Sequence, residues 1–142
     1  MFDLKGRCHC GNISIHYKTR IPPEEAALRA CQCTFCRKHQ ARAVSDPDGQ
    51  IDFRVARPAD LQRYQFGLRS AQFLVCRECG VYVGAFAPEH EAARGHATLM
   101  VNVLDDEARY GTAQPALYDA EDAQSRTARR RRVWTPATLT TD

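Results

Sequence analysis

The sequence predicts a mainly β protein of antiparallel strands, and three observations carry that prediction. Ile13, Ile15 and Tyr17 alternate with Ser14, His16 and Lys18, the period of a strand with one buried face. Four further stretches, 61–66, 71–75, 81–86 and 97–104, read as strands, and Asp48-Gly49 supplies a turn of the kind that joins antiparallel neighbours. Seven cysteines fall into three tight groups, the spacing of a domain held by metal rather than by long helices.

Between these strands the chain allows little helix. Pro22-Pro23-Glu24-Glu25 either opens a short helix reaching Arg29, with proline and acids in its first turn, or runs as a loop. Thr34 to Gln40 predicts a turn of helix after the central cysteines. At 142 residues the chain suits one domain spanning 1–142, with a basic C-terminal segment from about 126. Twenty Lys and Arg against 17 Asp and Glu give a formal charge of +3, a balance that by itself marks neither a nucleic-acid specialist nor an acidic tail. The N-terminus has no signal pattern and no run approaches a membrane span of ~18 apolar residues, so a cytoplasmic protein without a membrane partner is expected. In that reducing setting, an odd number of cysteines in tight pairs points to metal ligands rather than disulfides.

The cysteines carry the chemistry. Cys8 and Cys10 form C-x-C, Cys31, Cys33 and Cys36 form C-x-C-x-x-C, and Cys76 and Cys79 form C-x-x-C before Gly80. Zinc takes four tetrahedral ligands, so two paired half-sites, Cys8/Cys10 and Cys76/Cys79, close one structural four-thiolate site. Apparent binding energies of about 10–16 kcal/mol for structural zinc in small peptides make that site a main determinant of folding. Cys31, Cys33 and Cys36 then stand alone as a second zinc site, and three protein ligands leave one position for an exchangeable partner. Three thiolates leave the zinc unit near one negative charge, which makes its water a poor source of hydroxide. A substrate thiolate suits this borderline-soft ion better, and Arg37 and Lys38 stand ready to receive an anionic substrate. His39, three residues after Cys36, offers the rival reading: it would close the site as Cys3His.

Read in order, these groups resemble the glutathione-dependent formaldehyde-activating enzyme family, which includes centromere protein V. The likeness rests on Gly6-Arg7-Cys8-His9-Cys10-Gly11, Cys31-Gln32-Cys33-Thr34-Phe35-Cys36-Arg37-Lys38, Phe73-Leu74-Val75-Cys76-Arg77-Glu78-Cys79-Gly80 and Asn102-Val103-Leu104-Asp105-Asp106, spread over roughly residues 4 to 106. The resemblance implies a β-tent (Mss4-like) fold of zinc-stabilised antiparallel sheets. It also implies a structural zinc on the outer pairs, a labile or catalytic zinc on the central three cysteines, and a carbon-sulfur lyase-like activity that joins formaldehyde to glutathione as S-(hydroxymethyl)glutathione. Against the family pattern, Ala41-Arg42, Val81 and Gln32 replace a small pair, a serine and a histidine.

A second class of function stays open. Arg126, Arg129, Arg130, Arg131 and Arg132 beside Trp134 fit a non-catalytic zinc module that binds nucleic acid or protein through phosphate contacts and base stacking. A solvated basic end with Trp134 packed on the sheet is the favoured reading, because charge runs are common on surfaces. His9, His16, His90 and His96 are expected to be ordinary residues.

Overall fold

A computed structural model describes residues 1–141. In chain order the elements are β1 (Phe2–Arg7), β2 (Ile13–Thr19), β3 (Arg29–Cys31), α1 (Thr34–His39), β4 (Ala43–Val44), β5 (Gln50–Val55), β6 (Leu61–Tyr64), β7 (Gln72–Cys76), β8 (Tyr82–Glu89), β9 (Glu91–Met100), β10 (Gln114–Ala116), α2 (Ala123–Val133) and β11 (Thr135–Thr141). The strands form one branched, mostly antiparallel sheet in the order β1-β2-β5-β11-β9-β4-β3-β10, from which β8, β7 and β6 continue off β9. The mainly β class read from the sequence is therefore the observed one.

β9 is the branch point. Its first half pairs with β11 from Arg94 to Ala97, its last two residues pair with β4, and β8 runs antiparallel along most of its length. Exchanging one neighbour for another along a single strand splits the sheet into two leaves. Alternation then sends Ile13, Ile15, Tyr17, Ile51, Phe53 and Val55 into the space between them, against Leu74, Val83, Phe86 and Leu99.

Two expectations need correction. The strand read over 97–104 begins at Glu91 and ends at Met100, where a 3-10 turn, Val101–Val103, takes over. Val103 and Leu104 are buried not by strand pairing along that stretch but by close approach to β1. A Cβ on Gly6 would meet the Val103 carbonyl oxygen at 2.2 Å, so only glycine admits this crossing. Between 22 and 29 the chain makes a single 3-10 turn, Pro23–Glu25, before extending into β3, an outcome nearer the loop reading.

The basic segment from about 126 is likewise not a solvated tail. It is α2, opened by Asp122, whose carboxylate accepts from the Ser125 N–H at 2.7 Å, while the Ser125 hydroxyl accepts from the Asp122 N–H at 3.1 Å. The helix then presents Arg126, Arg129 and Arg130 inward, three and four residues apart, and leaves Arg131 and Arg132 exposed. Trp134 is buried against Ala71 and Ala85, as the favoured reading has it. No helix among the described residues is long and apolar enough to cross a membrane.

Glu121 ties α2 down. Its carboxylate accepts from Arg129 Nε at 2.7 Å and from Arg126 Nε at 3.2 Å. The hydrogen bond from Arg129 holds the Glu121 carboxyl below its ordinary value near 4.5. A folded pKa below the unfolded one gives stability that is full above about pH 4.5 and fades as pH falls through the folded value. Glu121→Gln should lower unfolding free energy at pH 7 by about 1.5–3 kcal/mol in denaturant titrations, and the difference from wild type should shrink steadily below pH 4.5.

Candidate metal centres

Two turns of matching design build the outer cluster. Between β1 and β2, the Cys8 N–H donates to the Ile13 carbonyl at 2.9 Å, and Gly11 takes φ +87°. Between β7 and β8, the Cys76 N–H donates to the Val81 carbonyl at 3.0 Å, and Gly80 takes φ +79°. The positive φ at both glycines folds each turn back so that its two thiols face one way. Backbone N–H groups aim at the sulfurs as well: Ile13 donates to Cys8 Sγ at 3.3 Å.

The four sulfurs of Cys8, Cys10, Cys76 and Cys79 lie within 4.8 Å of one another. A tetrahedral ion about 2.3 Å from each sulfur would set them about 3.8 Å apart. Cys8 and Cys10 are 3.8 Å apart and Cys10 and Cys76 are 3.5 Å apart, so the donor set fits such an ion without rearrangement. Burial pushes the Cys76 thiol up to about 12. At Cys79 burial also pushes upward, but N–H bonds from Cys10 and Val81 and thiol contacts more than offset it and bring the group to about 6. Arg57 Nη2 stands 3.9 Å from Cys10 Sγ and adds a positive charge at the rim.

The second cluster is made differently. Cys31 ends β3, Cys33 is the residue before α1, and Cys36 lies within it, its N–H donating to Cys33 Sγ at 3.4 Å. These three sulfurs also lie within 4.8 Å of one another, and among the described residues no histidine or carboxylate joins them. His39 is not among them; its ring packs on Phe35 and Tyr82, with centroids 4.5 Å and 5.3 Å apart. The rival Cys3His arrangement is therefore not the one formed. A hydrogen bond from Cys36 draws Cys31 down to about 5, while the same contact and burial push Cys36 well up. Burial, and then the negative charge of the neighbouring thiols, also push Tyr82 up, so its hydroxyl keeps its proton beside them.

The central sulfurs open onto a cavity of about 220 Å³, lined by Cys31, Cys33, Phe73, Tyr118, Arg129 and Arg130 among others. A smaller space of about 70 Å³ lies behind, between Cys36, Tyr82, Arg29 and Trp134. Arg29 donates to the Ser45 and Thr98 hydroxyls, and burial lowers its pKa. Arg129 lies over the Tyr118 ring, 3.7 Å from its centroid. Arg37 and Lys38 are exposed on α1 and do not line the cavity beside the sulfurs, whose cations come from the 69–70 loop and α2. The arginines of α2 were missed as site residues because a basic run reads as surface. Their spacing at 126, 129 and 130, one helix face behind an Asp-x-x-Ser start, was the available signal. His9 and His90 are exposed, His16 pairs with Asp3, and His96 pairs with Glu89 at 2.8 Å, so none of these four reaches either cluster. α2 turns Arg126, Arg129 and Arg130 to the fold and leaves only Arg131 and Arg132 exposed, and the nucleic-acid reading finds no support.

Replacing Cys31 and Cys33 together by serine should remove one bound metal ion of two, measured by elemental analysis on protein purified without chelator. The far-ultraviolet circular dichroism should persist, because the outer cluster joins its turns independently of β3 and α1.

Comparison with known proteins agrees with this geometry. Residues 3–120 match the sequence profile of a family described as glutathione-dependent formaldehyde-activating enzyme. A Rhodobacter sphaeroides protein of known crystal structure is similar at 28% identity, covering 79% of this chain and 99% of that one with a TM-score of 0.54. No curated protein matches the chain.

Proposed function

Because the chain belongs to the glutathione-dependent formaldehyde-activating enzyme family, we propose that it is a zinc enzyme with carbon-sulfur lyase-like activity on the adduct of an aldehyde and a small thiol such as glutathione. The observation that carries this reading is a three-cysteine cluster with no fourth ligand among the described residues, opening onto a cavity. Zinc on Cys31, Cys33 and Cys36 would supply a soft Lewis acid that holds a substrate sulfur as its thiolate at neutral pH. Zinc on Cys8, Cys10, Cys76 and Cys79 would be structural, its coordination closed by protein.

The chain's own residues prepare the rest. Phe73 and Phe35 wall the cluster with apolar surface, which strengthens electrostatic interactions inside the cavity and limits hydrolysis of an aldehyde adduct. Tyr82, kept protonated, packs beside Cys36 at the cluster. Arg37 and Lys38, exposed on α1, draw an acidic substrate toward the opening at long range. In the reaction the thiol sulfur bonds to the carbonyl carbon, the carbonyl π pair moves to oxygen, and the thiol proton ends on that oxygen; the lyase direction reverses each move.

Cobalt substituted into the central site tests this directly. Adding glutathione should change the thiolate-to-cobalt absorption bands, and magnetisation-exchange NMR should show faster interconversion of formaldehyde and S-(hydroxymethyl)glutathione than the uncatalysed rate. Unchanged bands and an unchanged rate would contradict the proposal.

A further inference from the structure

Arg130 is the buried cation of α2 that no carboxylate among the described residues takes. Glu121 takes Arg126 and Arg129, and Glu89 takes Arg131 at 3.4 Å and His96. Arg130 is 9% exposed, its Nη1 donates to the Ser70 hydroxyl at 2.8 Å, and its guanidinium lies 4.6 Å from the centroid of the Trp134 ring. Its Nε is buried with no hydrogen-bond partner. Burial lowers its pKa to about 10, which still leaves it charged at neutral pH. A buried guanidinium without a carboxylate partner is costly to the fold, and an anion that reaches its cavity-facing edge would offset that cost.

The side chain lines both the cavity in front of the central sulfurs and the space behind them. Asp119 is the one carboxylate on the larger cavity, against Arg69, Arg126, Arg129 and Arg130. That lining therefore carries excess positive charge on the side facing Cys31 and Cys33. At about 220 Å³ the enclosed space falls below the ~300 Å³ at the lower end of ligand pockets, so what it encloses is small. Leu68 and Leu117, 47% and 75% exposed, also line it and offer apolar contact to any part that projects.

We propose that Arg130, held by Ser70 and Trp134, is a carboxylate anchor, and that the thiol taken by this site carries its carboxylate within a few bonds of its sulfur. This rests on the reading that the central metal accepts a thiol, and it makes a short mercapto acid a tighter ligand than glutathione, whose carboxylates lie farther from its sulfur. It adds a requirement that α2 imposes, and α2 lies beyond the residues 3–120 that match the family. A mercapto acid then spans the cavity, with its sulfur toward Cys31 and Cys33 and its carboxylate on the guanidinium.

Calorimetric titration of the zinc-loaded protein with 3-mercaptopropionate, 2-mercaptoethanol and propionate tests the anchor, with the two thiols compared at equal thiolate concentration. The mercapto acid should bind at least about tenfold tighter than the uncharged thiol, the effect of one charge-assisted hydrogen bond. Arg130→Gln, which keeps a donor for Ser70, should reduce that advantage to about twofold and leave 2-mercaptoethanol binding unchanged. Equal affinity of the two thiols for wild-type protein, or an advantage that survives Arg130→Gln, would overturn the proposal. Should the variant not fold, the wild-type comparison decides alone. Arg130-dependent binding of propionate and 3-mercaptopropionate alike, with no binding of 2-mercaptoethanol, would keep the anchor and sink the thiol reading; equal binding of both thiols would do the reverse.

Discussion

Four cysteine sulfurs gathered within 4.8 Å by two glycine-closed turns are the constraint on which the rest of the structure depends. They come from the β1–β2 and β7–β8 connections, 66 residues apart between Cys10 and Cys76. Thiols packed so closely must share protons or neutralise one another on a cation. A tetrahedral ion bound there would satisfy all four sulfurs and fasten the two leaves of the sheet together. Across the leaves, β2 and β5 face β7 and β8 over a common core of Phe53, Leu74, Val83 and Phe86.

The second cluster sits where a single clip leaves the fold open. β9 changes partner from β11 to β4 near its end, and the short strands β3 and β10 hang on that edge. So Cys31 ends a three-residue strand and Cys33 and Cys36 begin a six-residue helix, elements too short to bury the sulfurs on every side. α2 covers the remaining flank with arginine rather than with apolar surface. The result is a thiolate cluster with a protein wall of Phe35, Phe73 and Tyr82 on one side and cationic groups on the other.

Much of this was legible in the sequence, for local reasons. The period-two pattern of Ile13, Ile15 and Tyr17 sets β2 directly, and the C-x-C-G and C-x-x-C-G spacings dictate turns whose geometry hardly depends on the rest of the chain. Ile51, Phe53 and Val55 carry the same alternation as β2 and form β5, a strand equally open to sequence reading but not drawn from it. The role of α2 was hidden because helical amphipathicity is normally sought in apolar residues. Here the inward face is made of Arg126, Arg129 and Arg130, whose burial depends on Glu121, Ser70 and Trp134. Only tertiary partners decide whether such a run is a solvated surface or the wall of a site. The place where β9 stops was hidden for a similar reason: Val103 and Leu104 are buried where β1 crosses at Gly6, through one isolated bridge from Gly6 to Leu104 rather than a continued strand.

The central claim is that one cluster is closed by protein and the other is not. X-ray absorption at the zinc edge, on protein loaded with two zinc ions per chain, measures that difference. The account predicts an average between three and four sulfurs per zinc at about 2.3 Å with a fractional light-atom neighbour, moving to four sulfurs when a thiol is added. Four sulfurs before any thiol is added, or outer-shell scattering from an imidazole, would contradict it.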